Sequence, residues 1–192
     1  MKQLFAAFLT CALLNLTGCI SYSNHELAPI DQWPPAAPAG HKPSAFVKVS
    51  AQYLHNGVAK SGGVNQPALE ALIIKEYQSS QRFASLTTAK QAADLYINVK
   101  ITNNERSNLF SASLTGFSLF IIPTRFTNQL TMETTFKDVN GNLLGRVKKS
   151  ETITSWMQLL MIFALPFNES ADNIFTQLSK STLEQAVQDN LI

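Results

Sequence analysis

Cysteine is scarce in this chain, since only Cys11 and Cys19 occur among its 192 residues. Two thiols cannot form the disulfide network of a small secreted domain or the four-thiolate site of a structural zinc ion. The three histidines, His25, His41 and His55, are not spaced as metal ligands. The sequence therefore predicts neither a disulfide scaffold nor a metal site.

Charge is also scarce, because only 15% of the residues are charged, with 15 Lys and Arg against 13 Asp and Glu. A nucleic-acid-binding domain would show a basic stripe, and a disordered polyelectrolyte would carry far more charge. With 45% hydrophobic residues, the chain can bury the core of one ordinary domain. We therefore expect a folded domain with no nucleic-acid partner.

Motifs of catalysis are missing as well. The chain has no Gly-x-Ser-x-Gly elbow, and the loop Ser61-Gly62-Gly63 lacks the lysine of a phosphate cradle. Carboxylates such as Asp94 and Asp138 have ordinary roles in turns and strand ends. We predict no catalytic residue, no metal and a non-enzymatic protein.

The first residues have the pattern of a secretory signal. Lys2 supplies a positive charge, and the run from Leu4 to Leu16 is mostly apolar but too short to span a bilayer. The run ends in Leu16-Thr17-Gly18-Cys19, which resembles the lipobox of bacterial lipoproteins. The chain is thus similar to the small periplasmic lipoproteins of bacterial envelopes.

This resemblance implies a covalent lipid and a location. Signal peptidase would recognise Leu16, Thr17 and Gly18 and cleave after Gly18, and Cys19 would carry a thioether-linked diacylglycerol and an N-acyl chain. The residues after Cys19 are Ile20 and Ser21 rather than the Asp of inner-membrane lipoproteins. The resemblance therefore implies anchoring to the periplasmic face of the outer membrane, with no cofactor beyond the lipid.

Proline marks the segment that follows, since residues 20–44 hold five of the eight prolines and no apolar period. Such a composition is typical of an extended linker. We predict three parts: a signal peptide over residues 1–18, a lipidated cysteine and tether over 19–44, and one domain over 45–192. Trp33 would either contact the membrane interface or pack back on the domain.

Hydrophobic periodicity predicts an α+β fold for residues 45–192. Alternation over Leu95–Ile101 predicts a strand, and helical spacing predicts helices after Pro67 and over Glu169–Asp189. The predicted order is β-α-β-β-β-β-α, with an antiparallel sheet of about five strands and two main helices.

The clearest predicted element is a hairpin around Asn140-Gly141, a dipeptide typical of type I′ turns. A two-residue loop would pair Val139 with Asn142 and Glu133 with Lys148. It would also place Phe136 over Gly145.

Two uncharged apolar stretches, 114–123 and 156–167, flank the hairpin and are each too short to span a bilayer as a helix. They should lie together at the open end of the hairpin. One interpretation makes them core; a second makes them an exposed contact for a membrane or partner protein; a third places a small apolar ligand between them. The candidate contact residues are Phe117, Leu119, Phe120, Ile121, Ile122, Trp156, Leu159, Leu160, Ile162 and Phe163.

Two functions are consistent with these features. The first is a non-enzymatic scaffold or accessory subunit of an envelope complex, with an unidentified protein partner besides the membrane. The alternative is an envelope protein that contacts or carries lipid through stretches 114–123 and 156–167.

Overall fold

The computed structural model describes residues 18–30, 32–35 and 40–192. The strands are β1 (Gly18–Ser23), β2 (Ser44–His55), β3 (Val58–Lys60), β4 (Ser85–Thr87), β5 (Leu95–Ser107), β6 (Thr124–Asp138) and β7 (Leu143–Gln158). The α-helices are α1 (Gln66–Ser79), α2 (Leu109–Phe117) and α3 (Ala171–Gln188), and a 3₁₀ segment covers Leu159–Phe167.

The strands of the described residues form one sheet in the order β1-β7-β6-β5-β2-β3, with β4 also paired to β2. The predicted α+β class is confirmed. The sheet has seven strands rather than the predicted five or so, and the described chain has three α-helices rather than two. It is also mixed rather than antiparallel, because β2 runs parallel to β5 and β4. The connection through α1 explains why β2 and β5 are parallel, since it returns the chain to the end of the sheet where β2 begins.

Helices α1 and α3 cover one face of the sheet. Asn65 caps α1 by accepting a hydrogen bond from the Ala68 amide at 3.2 Å, and Ser170 caps α3 by accepting from the Asp172 amide. The apolar residues between helices and sheet form the core, and its fully buried side chains include Ile73, Tyr77, Ile97, Met132, Phe136, Leu178 and Leu183.

The β6–β7 hairpin has the predicted register but a different turn. Glu133 lies opposite Lys148 and Phe136 opposite Gly145, as predicted. The loop is longer than two residues: Gly141 has φ +85° and its amide donates to the Asp138 carbonyl, whereas Lys137 pairs with Leu143. The type I′ assignment and the pair Val139–Asn142 are therefore wrong.

The Asp138 carboxylate explains this wider loop. It accepts hydrogen bonds from the Asn142 side chain at 2.9 Å and from the Asn140 and Asn142 amides at 2.8 Å. These bonds hold the pKa of Asp138 below its ordinary value, the Asn142 side chain making the largest contribution. The loop is thus built around a carboxylate rather than around two residues of positive φ.

The segment predicted as an extended tether differs from that prediction, because residues 18–23 form the edge strand β1 against β7. The fully buried carboxylate of Glu151 accepts hydrogen bonds from the amides of Glu26 and Leu27. Trp33 packs back on the domain, where its indole N–H donates to Ser79 and Lys180 lies 5.2 Å above its ring. Backbone pairing and these contacts hold the described residues 18–30 and 32–35 on the domain.

Candidate membrane-contact surface

The two apolar stretches meet at one end of the sheet, as their positions beside the hairpin predicted. The Leu159 amide donates to the Phe120 carbonyl at 2.9 Å, and the Gln158 side chain donates to the Ile121 carbonyl at 3.3 Å. The hairpin loop around Asn140 lies at the opposite end of β6 and β7.

Helix α2, which includes the start of the first stretch, has its apolar residues on the outside. Asn108 caps it by accepting hydrogen bonds from the amides of Phe110 and Ser111. Its one buried residue is Thr115, whereas the exposed fraction is 78% for Leu109, 76% for Phe110 and 88% for Phe117. A helix of a globular domain normally shows the reverse pattern.

The loop after α2 keeps more large side chains in solvent. Leu119 and Phe120 have φ angles of 52° and 64°, a left-handed conformation that bulky residues rarely adopt. Leu119, Ile121 and Ile122 are exposed, and Phe120 is half-buried.

The second stretch leaves strand β7 and continues as the 3₁₀ segment Leu159–Phe167. Leu160 and Phe163 are exposed, the latter by 80%, whereas Trp156 and Leu159 are half-buried. The side chain of Ile162 lies outside the part of the chain that the structure describes.

The interpretation of both stretches as core is therefore wrong for their exposed members. We call the resulting surface the apolar end surface, defined by the exposed residues Leu109, Phe110, Leu114, Phe117, Leu119, Ile121, Ile122, Leu160 and Phe163. Several large apolar side chains grouped at one end of a domain are typical of a contact with a membrane or another protein.

Cys19 lies beside this surface. It pairs with Met157 of β7, and Met157 pairs on its other side with Thr124, the first residue of β6 after the apolar loop. Two strand spacings separate Cys19 from Thr124, or about 10 Å. Burial raises the pKa of the Cys19 thiol, which argues against a reactive thiolate there. Leu16 and Thr17 lie outside the described residues, and Gly18 begins β1.

Aromatic and cationic side chains border the apolar end surface on the helix-free face of the sheet, which is the face opposite helices α1 and α3. The Trp156 indole N–H donates to the Tyr22 hydroxyl at 3.3 Å, and the Arg125 guanidinium carbon lies 5.9 Å from the centre of the Trp156 ring. Trp, Tyr and Arg in such an arrangement are typical of a membrane–water interface.

Sequence reasoning missed Leu109 and Phe110, because α2 was not predicted. The signal that could have found the helix is Asn108, a strong N-cap residue placed directly before an apolar run. His55, the last residue of β2, lies 3.6 Å from Glu105, which also accepts a hydrogen bond from the Tyr53 hydroxyl at 2.9 Å. These contacts join the ends of β2 and β5.

Among the residues that the structure describes, no group of three His, Cys, Asp or Glu side chains is arranged to hold a metal ion. Within the same residues, no helix has both the length and the hydropathy needed to cross a bilayer. No protein-family profile matches this chain, and no curated protein matches it significantly.

Proposed function

We propose that this protein is a non-enzymatic lipoprotein, anchored through Cys19 to the periplasmic face of the outer membrane, whose domain contacts the bilayer through its apolar end surface. The lipid would supply the anchor. The apolar end surface would fix the orientation of the domain, so that the hairpin loop at the far end faces the periplasm.

The observation that carries this proposal is the reversed polarity of α2 at the same end of the sheet as Cys19. In α2 a threonine is buried, while Leu109, Phe110 and Phe117 are exposed. Each such side chain contributes about 1.5–3 kcal/mol when it leaves water for an apolar phase. A lipid bilayer would bury these side chains, and the lipobox resemblance implies that acyl chains are attached at this same end of the domain.

The test is a flotation assay with phosphatidylcholine vesicles. The protein used is residues 19–192 with Cys19→Ser, which keeps every described element except the first residue of β1. The unlipidated protein should float. The double variant Phe117→Glu/Phe163→Glu should bind at least about a hundredfold more weakly, because each phenylalanine contributes at least about tenfold. Both side chains are at least 80% exposed, so the fold should be unaffected.

The matched control is Val139→Glu/Leu143→Glu, which changes two apolar residues at the hairpin loop that are 63% and 59% exposed. This variant should float like the parent protein. If the parent protein stays in solution, or if both double variants lose binding equally, the apolar end surface is not a membrane contact.

A second candidate function, an accessory subunit of an envelope complex, is favoured by exposed apolar residues at the far end. Val139, Leu143 and Leu144 are between 46% and 63% exposed, and they would face the periplasm in the proposed orientation. Photo-cross-linking from position 143 in cells should then capture one specific protein. Cross-linking from position 163 should give lipid adducts instead.

A further inference from the structure

Two arginines lie on the helix-free face of the sheet, directly behind the apolar end surface. Arg106 of β5 pairs with Thr127 of β6, and Arg125 of β6 pairs with Trp156 of β7. Side chains of cross-strand partners, and of residues two apart in one strand, share a face of the sheet. Arg106 and Arg125 are therefore diagonal neighbours, with their Cα atoms about 7–8 Å apart.

The two arginines line one recess of about 250 Å³ together with four polar residues and one phenylalanine. Its other members are Asn56, Ser107, Asn108, Phe126 and Thr127. Asn56 is held in place because its side chain donates to the Ser107 carbonyl and accepts from the Ser107 amide. Asn108 is held as the cap of α2. The recess is thus open to solvent and combines two hydrogen-bonded asparagines with two cations.

Neither arginine forms an ion pair within the described residues, where the salt bridges involve His55, Arg146 and Lys180. Glu105, adjacent to Arg106 in the chain, points to the opposite face of the sheet and contacts Tyr53 and His55 there. The positive charge of the recess is therefore available to a ligand.

We propose that this recess binds anionic phospholipid headgroups, whose phosphate charge is not neutralised by a headgroup ammonium, an inference that rests on the proposed membrane function. The guanidinium group suits this ligand because its planar set of donors matches phosphate oxygens. The location suits it as well, since Trp156 and Tyr22 mark the interface level next to Arg125. The apolar end surface would contact acyl chains while the recess selects the headgroup.

The experiment compares binding of the Cys19→Ser chain 19–192 to vesicles of phosphatidylcholine and to vesicles containing an equal part of phosphatidylglycerol. Each arginine near an anionic surface should contribute about fivefold, the equivalent of about 1 kcal/mol, so the preference for anionic vesicles should be about 25-fold. Arg106→Gln/Arg125→Gln should lose this preference and bind phosphatidylcholine like the parent protein. Added NaCl should weaken the preference.

The control Lys48→Gln/Lys100→Gln removes the same charge from the same face of the sheet, with Lys100 about 20 Å from Arg106 along β5. This variant should keep most of the preference. If it loses as much as the arginine variant, general surface charge explains the result and the recess proposal is overturned.

Two further outcomes separate the proposals. Binding to both vesicle types without preference overturns the headgroup site and leaves the membrane surface intact, whereas absence of binding to either overturns both. Inorganic phosphate and glycerophosphate should compete no better than NaCl of equal ionic strength. Stronger competition would mean that the recess is a site for a small soluble phosphate.

Discussion

The carboxylate of Glu151 is fully buried and accepts hydrogen bonds from three backbone amides, those of Glu26, Leu27 and Thr152, at 3.1–3.3 Å. One oxygen bonds Glu26 and Thr152, and the other bonds Leu27. A buried carboxylate is costly unless such donors surround it. Glu151 therefore holds the chain after β1 against β7, although its position in the sequence suggests an ordinary hairpin residue.

We expect Glu151→Ala to lower the free energy of unfolding by about 3 kcal/mol, because three amides lose a charged acceptor and a cavity remains. Glu151→Gln should cost about 1 kcal/mol, because its amide oxygen replaces only one of the two acceptor oxygens. Urea denaturation of the unlipidated chain measures both values.

The control is Glu133→Gln, which removes a surface ion pair to Arg146 and should change the free energy of unfolding by less than about 1 kcal/mol. Equal effects of the three substitutions would contradict this role of Glu151.

At the scale of elements, the loop after α2 combines a strained backbone with exposed apolar side chains. Leu119 and Phe120 both have positive φ, and the Phe120 amide donates to the Thr115 carbonyl at 2.8 Å to close the helix end. Glycine is the usual residue at such a helix end. A leucine that is 63% exposed gains little from packing there, so contact outside the domain better explains its presence.

Leu119→Gly should therefore stabilise the domain while it weakens membrane binding. Relief of the left-handed conformation, offset by the larger entropy of glycine in the unfolded chain, should raise the free energy of unfolding by up to about 1 kcal/mol. Loss of one apolar side chain should reduce vesicle binding by about tenfold. Thermal unfolding and flotation measure the two effects. A destabilised variant with unchanged binding would show that Leu119 is a structural residue.

At the scale of the whole molecule, Cys19, the residue that we propose carries the lipid, is itself part of the sheet. Because β1 begins at Gly18 and pairs with β7, no free chain separates Cys19 from the domain. The 16 residues of β7 extend for about 50 Å from the apolar end surface toward the hairpin loop. The domain should thus stand upright on the bilayer instead of moving on a tether.

Resonance energy transfer from a dye on Asn140→Cys to a labelled lipid should report a separation of about 50 Å in the lipidated, reconstituted protein. A dye on Ala112→Cys, in α2, should lie within about 15 Å of the headgroups, since a helix is only about 10–12 Å wide. In the proposed lipidated form Cys19 carries the lipid, so the introduced thiol is the reactive one. If both dyes report the same average distance, the domain moves freely and the proposed orientation is wrong.

Local patterns were sufficient to predict much of the sheet and little of the candidate site. Alternation in β5 and β6 identified these strands and the hairpin register, because alternating burial is a property of a single strand. The turn type was wrong, since Asn140-Gly141 is compatible with several loops and Asp138 selects one of them. Arg106 and Arg125 could not be paired from the sequence, because their proximity depends on the β5–β6 register.

The sequence by itself determined the lipobox resemblance at Cys19, the α+β class, the hairpin and the uncharged stretches on either side of it, all of which depend on residues close together in the chain. The tertiary structure alone decided that residues 18–23 are an edge strand, that β2 lies parallel to β5, and that many large side chains of the apolar stretches are exposed. The reason is physical: an apolar run has the same composition whether it is buried or in solvent. Only the placement of the other elements shows that no part of the described domain covers these side chains.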